Sequence, residues 1–362
     1  MKQLVLLGGG HAHVHCVSSF IEKRLEDVKV TLISPFARQV YSGMLPGWIA
    51  GHYAIDECVI PLPPLAVKAG ISFEQSAASG LDLERRVVHC ENGAEIPYDI
   101  LSIDSGPVAD LSQLPGAAQH ALAVRPIERF IEGWEAARRQ LMARAGGRIV
   151  MVGAGAAGVE LALAMQHAFD QAKIKLDFTI ASAADTLPHG VAKRLMRVLR
   201  ERNIRVLVNT PAQRIEAAKV IVPGGELEAD LVIVSTGTAA AAWPRAAGLK
   251  TDERGFILTN KYLQSLSHAN VFAAGDCATM AEHVRPKSGV YAVRAGAPLT
   301  KNLRHALAGE ALDSYTPQRN SLYLISAGNQ YAIASWGNFT LEGAWVWRWK
   351  DSIDRNFVAR YR

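Results

Sequence analysis

A chain of 362 residues, 49% hydrophobic and 20% charged, holds enough apolar material for two or three cores. Its formal charge of +5 is mild and no Lys/Arg block stands out, which excludes a nucleic-acid footprint. Met1 leads straight into an apolar strand, leaving no room for a signal peptide, and no apolar run reaches the roughly 18 residues of a spanning helix, so a cytoplasmic protein is expected.

The first pattern along the chain is β-α-β. Leu4–Leu7 runs into Gly8-Gly9-Gly10-His11-Ala12-His13, a helix follows from about His11 to Glu26, and Val28–Ile33 forms the next strand. Such glycines let the backbone turn tightly and approach a pyrophosphate, which then sits on the unsatisfied N–H groups of the helix start. The stretch from Ser34 to Pro64 is long and lacks periodicity, which marks a functional segment. Its Tyr41, Met44, Leu45 and Trp48 suggest a cofactor cover. Strands follow at Arg86–His89 and Ile100–Ile103, the second ending in Asp104-Ser105-Gly106. An apolar helical pattern over Ile127 to Ala145 leads to the strand Arg148–Val152 and a second loop, Gly153-Ala154-Gly155-Ala156-Ala157-Gly158. The β-α-β pattern then repeats, with strands near 177–181, 205–208 and 231–234. Two apolar runs end in Ser235-Thr236-Gly237 and in Gly275-Asp276. In the tail, Trp345, Trp347 and Trp349 alternate with a strand-like period, and 350–361 can form a helix carrying Ile353, Phe357 and Tyr361 on one face.

Two glycine loops, each in strand-turn-helix context, point to a flavin dinucleotide and a nicotinamide dinucleotide bound together. Cys16, Cys58, Cys90 and Cys277 are scattered without a close pair, which argues against a disulfide framework and against a redox-active cysteine pair. His11, His13 and His15 with Cys16 invite a metal reading, and His11 and His15 share a helix face. A metal there would compete with a pyrophosphate for the same helix end, and no acidic or second Cys ligand stands nearby. No metal is expected.

With these motifs the chain resembles the FAD-dependent pyridine nucleotide-disulfide oxidoreductases, type II NADH dehydrogenase-like, over nearly its whole length. It is more closely similar to the oxidoreductase module that in some organisms is fused to selenide, water dikinase, through Gly8–Val14, Tyr41–Gly47 and Arg285–Ala292. The resemblance implies an α/β fold with two Rossmann-like dinucleotide-binding domains, the second inserted in the first. The FAD domain spans 1–109 and 241–315, the NAD(P)H domain 110–240, and a small C-terminal segment 316–362. It implies FAD held by Gly8, Gly10, His11, Ala12, Ser34, Leu45, Pro46, Ala78, Gly106, Gly275, Asp276, Gly289 and Val290, and NAD(P)H held by Gly153, Gly155 and Gly158. Asp276 would accept a hydrogen bond from a ribityl hydroxyl, or cap a helix starting at Ala278. Gly289 and Val290 would open a helix whose positive end faces the flavin pyrimidine oxygen. Glu160 falls where the family places a carboxylate near the nicotinamide, although a Glu in a first helical turn also suits the macrodipole.

This chain departs from the family pattern at three places. His13 stands where the third glycine permits close helix–strand packing, so that helix must sit differently. Ser34 and Ser182 end the two second strands, where an Asp or Glu would grip a ribose. Losing the acid at Ser182 weakens the case for NAD, and the choice between NADH and NADPH stays open. The expected activity is hydride uptake from NAD(P)H by FAD and electron transfer to a non-disulfide acceptor, a quinone or a selenium or sulfur compound. A flavin-loaded carrier without nicotinamide turnover is the alternative. Sulfide:quinone reduction needs a nearby cysteine pair, and no Cys lies between Cys90 and Cys277. Expected partners are the small-molecule acceptor and selenide, water dikinase; the Trp- and Arg-containing tail has two readings, a segment resting peripherally on the inner face of a membrane or one docking on the FAD domain.

Overall fold

The computed structural model describes residues 1–184, 191–337 and 339–362. Two five-stranded sheets, all parallel, organise it. The first orders its strands Val271–Ala273, Ile100–Ile103, Lys2–Leu7, Val28–Ile33 and Ser72–Glu74; the second orders Leu122–Ala123, Leu231–Val234, Gly146–Val152, Lys175–Ala181 and Ile204–Leu207. In each, the strand that feeds the glycine loop sits at the centre. The loop therefore emerges at the carboxyl edge where the strand order reverses, the usual ligand crevice of such sheets. The central strands are buried on both faces, as continuous apolar runs require: Leu4, Val5, Leu6, Ile149, Val150 and Met151 are each at most 2% exposed.

Six helices position the site: α1 (His11–Glu22), α2 (Leu45–Ile49), α3 (Ile127–Ala143), α4 (Ala156–Gln171), α5 (Gly289–Ala308) and α6 (Ala344–Arg360). The two-Rossmann α/β architecture expected from the sequence is present. The chain leaves the first sheet after Ile103 and returns to it with Val271–Ala273. Two crossing strands, Val108–Ala109 and Thr238–Ala239, pair antiparallel on the way. A three-stranded antiparallel sheet, Leu322–Ser326, Ala332–Trp336 and Phe339–Gly343, precedes α6.

Three local expectations are corrected. The first helix ends at Glu22, not near Glu26; Lys23 turns extended and Asp27 takes a φ of 55° to reverse the chain into the next strand. Trp345, Trp347 and Trp349 lie in α6, not in a strand. Their period of two also satisfies a helix, because Trp345 and Trp349 are i and i+4 and share the exposed side, whereas Val346, Trp347, Lys350, Asp354 and Val358 face inward. Asp276 caps no helix at Ala278: Gly275–Cys277 is a single 3-10 turn, and Ala278–Met280 is a strand beside Ile257–Thr259. The helix starts later, at Gly289, capped by the Ser288 hydroxyl, which accepts from the Val290 N–H.

Candidate active site

The first glycine loop opens onto a cleft of about 280 Å³. Gly8–His11, Ser34–Phe36, Ser76–Ala78, Ser42, Asp276 and Gly289 are in its wall, with Arg38 and Arg125 supplying positive charge. Gly8 needs its φ of +103°, and a side chain there would strike the Asp104 carbonyl. Asp104 organises the loop: its carbonyl accepts from the Gly10 N–H at 3.1 Å. Its Oδ2 accepts from the Ala12 and His13 N–H groups at 2.8 and 3.2 Å. Those amides belong to the first turn of α1 and would otherwise lack partners. Burial pushes the Asp104 carboxyl up to about 7, against the pull of the His13 and Ala12 amides.

His13 shows how the missing third glycine is accommodated. In the second loop a side chain at Gly158 would meet the Gly153 carbonyl at 2.5 Å, the close packing that glycine permits. In the first loop the corresponding carbonyl, of Gly8, is 2.6 Å from His13 Nδ1, and Nε2 lies 2.8 Å from Ser102 Oγ. A carbonyl only accepts, so Nδ1 carries the proton and Nε2 accepts from the serine. A hydrogen bond replaces a backbone contact, and burial lowers the His13 imidazole to about 4, keeping it neutral.

The cleft fits a dinucleotide with its diphosphate at the loop. Gly106 leaves open space, and a methyl at Gly289 would meet only Ser42 Oγ at 3.7 Å. Gln39 Oε1, in the cleft wall, is buried without a partner among the described residues, an acceptor left for a ligand. Asp276 is nine-tenths buried, with Arg125 Nη2 at 3.6 Å. Burial raises its carboxyl while Arg125 and Lys287 pull it down.

The structure brings Gly8, Gly10, His11, Ser34, Ala78, Gly106, Asp276 and Gly289 into this one cleft. Ala12 is buried behind it. Leu45 and Pro46 are buried in the first turn of α2, beyond Ser42 and outside the lining. Gly275 and Val290 line neighbouring cavities instead. Ser34 Oγ donates to the Phe36 carbonyl at 3.0 Å and accepts from the Phe36 N–H at 3.3 Å, so one lone pair remains for a ribose hydroxyl. Gly153, Gly155 and Gly158 stand apart at the start of α4. There no described side chain caps the helix, and a methyl added at Gly155 would meet no described atom within 4 Å.

Glu160 is partly buried one turn into α4, and its Oε1 accepts from the Ser326 N–H at 2.7 Å. Sequence reasoning missed its surroundings. Lys350 on α6 donates to the Gly43 carbonyl and to Asp354 Oδ2, each at 2.6 Å. Asp354 in turn faces the Tyr41 hydroxyl, and Tyr41 stacks on Phe357 at 4.4 Å. Burial pushes the Glu160 carboxyl up to about 7, opposed by Lys350 and the Ser326 amide. Burial also opposes charge on Lys350, but Asp354 and Glu160 outweigh it and hold the ammonium above its usual value. The only sequence signal was the opposite-charge i,i+4 pair Lys350–Asp354, which usually marks a solvated helix face. All four cysteines are buried free thiols, and burial pushes Cys16, Cys58 and Cys277 up to about 12.

The model for the pyridine nucleotide-disulphide oxidoreductase family matches residues 2–296. Ferroptosis suppressor protein 1 of Xenopus laevis is 26% identical over 296 residues, 76% of this chain and 74% of that protein. The type II NADH:quinone oxidoreductase of Haemophilus influenzae is 25% identical over 332 residues, 77% of this chain and 74% of its own. The solved sulfide:quinone oxidoreductase of Aquifex aeolicus has the same fold, with a TM-score of 0.84 at 21% identity over 100% of this chain and 92% of that one.

Proposed function

Because this chain belongs to the pyridine nucleotide-disulphide oxidoreductase family and is an FAD-dependent NAD(P)H oxidoreductase, we propose that its electrons pass to a quinone-type small molecule. FAD, held at the Gly8–Gly10 loop, supplies the redox chemistry; the protein positions it and manages protons. Asp276 and the start of α5 orient the ribityl and ring end, and the open start of α4 takes the nicotinamide dinucleotide's diphosphate.

The observation that carries the acceptor is the cluster of Glu160, Lys350, Asp354 and Tyr41, with its Lys350–Asp354 pair buried, beside Gly43 and the Ser42 wall of the cleft. A quinone takes up two protons with its two electrons. A carboxyl raised to about 7 is half-protonated at neutral pH, the condition in which an acid can both give and regain a proton. Thiols buried and pushed up to about 12 supply no thiolate for sulfur exchange. The relatives named as quinone reductases favour the same acceptor.

The exposed apolar side chains of the C-terminal region fit a membrane source for that acceptor. Trp336, Phe339, Leu341, Trp345, Trp349 and Ile353 are 40–75% exposed, and no described helix is long and apolar enough to cross a membrane. The patch would rest in the interface. A selenium compound is the competing acceptor, through the resemblance to the module joined to selenide, water dikinase.

Anaerobic reduction by NADH and by NADPH, followed by mixing with a short-chain ubiquinone analogue, polysulfide or selenite, tests the reading. Reoxidation fastest with the quinone supports it. Preference for polysulfide or selenite overturns it. Sedimentation with anionic vesicles, lost in Trp345→Ser/Trp349→Ser, tests the membrane contact.

A further inference from the structure

The two glycine loops differ in one respect that their sequences do not announce. The start of α4 presents its amides uncapped by any described side chain. The start of α1 is partly occupied: Asp104 Oδ2 holds the Ala12 and His13 amides and the Asp104 carbonyl holds that of Gly10, leaving the Gly9 and His11 amides for a diphosphate. A methyl at Gly10 or at Gly275 would collide with the Asp104 carboxyl, so this side chain is wedged between the loop and the turn carrying Asp276. It is 2% exposed. An ionised carboxylate and a diphosphate dianion would then share one helix end in a buried site, and like charges so placed drive protonation.

We propose that Asp104 is a positioning residue for the flavin dinucleotide whose carboxyl must carry a proton when the diphosphate is bound, so that FAD and a proton bind together. The proton comes from solvent and no bond within FAD changes. The inference rests on FAD occupying the first loop.

The histidines and cysteines around Asp104 do not supply this linkage. On α1, His11 and His13 are both lowered to about 4 by burial, and Cys16 is raised to about 12. On the facing turn Cys277 is raised to about 12. None of these changes charge between pH 6 and 9. Asp276 also faces Asp104, and burial raises its carboxyl against the pull of Arg125 and Lys287, so Asp276→Asn is the control that separates the two carboxyls. The free-state carboxyl of Asp104, at about 7, titrates inside the window. Diphosphate binding raises it further. FAD affinity is therefore greatest below pH 7 and falls as pH rises, by up to about tenfold per unit.

The test dilutes purified holoenzyme across pH 6–9 and reads released FAD by its fluorescence. Wild type should lose affinity above pH 7, whereas Asp104→Asn, which keeps an oxygen for the two amides but no proton to lose, should give a flat profile. The infrared spectrum of the holoenzyme at pH 8 should show a protonated-carboxyl stretch that vanishes in Asp104→Asn. Should that variant not accumulate, Asp104→Glu carries the test by shifting the band. A flat wild-type profile, a slope that survives Asp104→Asn, or a slope lost only in Asp276→Asn overturns the proposal. Loss of flavin from Gly155→Val would instead show that FAD sits on the second loop, a failure of the placement and not of the proton linkage.

Discussion

His13→Ala isolates the substitution that most separates the first loop from its family pattern. The imidazole is fully buried and makes hydrogen bonds of 2.6 Å to the Gly8 carbonyl and 2.8 Å to Ser102 Oγ. Truncation leaves both partners buried and unsatisfied, at about 1–3 kcal/mol each, and leaves a ring-sized void beside the central strand. Replacing large buried rings costs about 3–5 kcal/mol where the site cannot collapse. A loss of roughly 4 kcal/mol is expected, a large part of a typical domain's stability. Urea unfolding of His13→Ala, Ser102→Ala and the double variant measures it. The two sites share one hydrogen bond, so the double variant should be less destabilised than the sum, by about 0.5–3 kcal/mol. The sign of the pH dependence follows from the lowered imidazole. Between pH 6.5 and about 4 the unfolded chain binds a proton that the folded one refuses. Stability present above pH 6.5 is therefore lost on acidification, by about 3 kcal/mol, and His13→Ala should lose much of that slope. A single-variant cost below about 1 kcal/mol, or strict additivity with Ser102→Ala, would refute this account of the loop.

Asp276→Ala should purify largely colourless, because the ribityl anchor is gone; full yellow colour would remove it from the site. Gly155→Val should keep its flavin yet resist reduction by either nucleotide in stopped-flow bleaching, since the side chain enters space that is open at the start of α4. With Ser182 in place of a ribose-gripping acid, NADPH should reduce the wild type at least as well as NADH. Glu160→Gln should slow reoxidation by the quinone about 10²–10⁴-fold with reduction by nucleotide little changed. The wild-type reoxidation rate should fall as pH rises through about 7, and the variant's should not. Replacing Cys16, Cys58 or Cys277 singly should leave flavin bleaching by nucleotide intact; a charge-transfer band that disappears with one cysteine would contradict this.

The glycine loops and the strands feeding them were readable because the signal is local: an apolar run, a turn that needs positive φ at Gly8 and Gly153, then a helix. What escaped reading depends on contacts between distant segments. Ala278–Met280 becomes a strand only because Ile257–Thr259 lies alongside, so the residues after Asp276 looked like a helix start. The three tail tryptophans satisfy two periods at once, and only the inward face of α6 decides between them. Lys350 looked like one half of a surface pair until α6 packed against the preceding three-stranded sheet and Ile55–Cys58 and brought it to the Gly43 carbonyl. Asp104 drew no attention, since its role requires Ile100–Ile103 to lie next to Lys2–Leu7, delivering a carboxyl to a helix nearly a hundred residues earlier.

The shared strand order of the two sheets also dictates how the molecule can be assembled. Every strand of the second sheet lies between Leu122 and Leu207 or in the nearby Leu231–Val234, so that unit can close from a continuous stretch of chain. The first sheet lacks its edge until Val271–Ala273 emerges and pairs with Ile100–Ile103. The turn bearing Asp276 follows directly, and α5 after it packs on α1. During synthesis the inner unit can therefore fold first, while the outer half waits for a pairing of long sequence separation, the slow kind of contact. A nascent chain paused before residue 271 would hold a finished second sheet and an unfinished first one. The cleft proposed for the flavin is then the last part of the molecule to be completed.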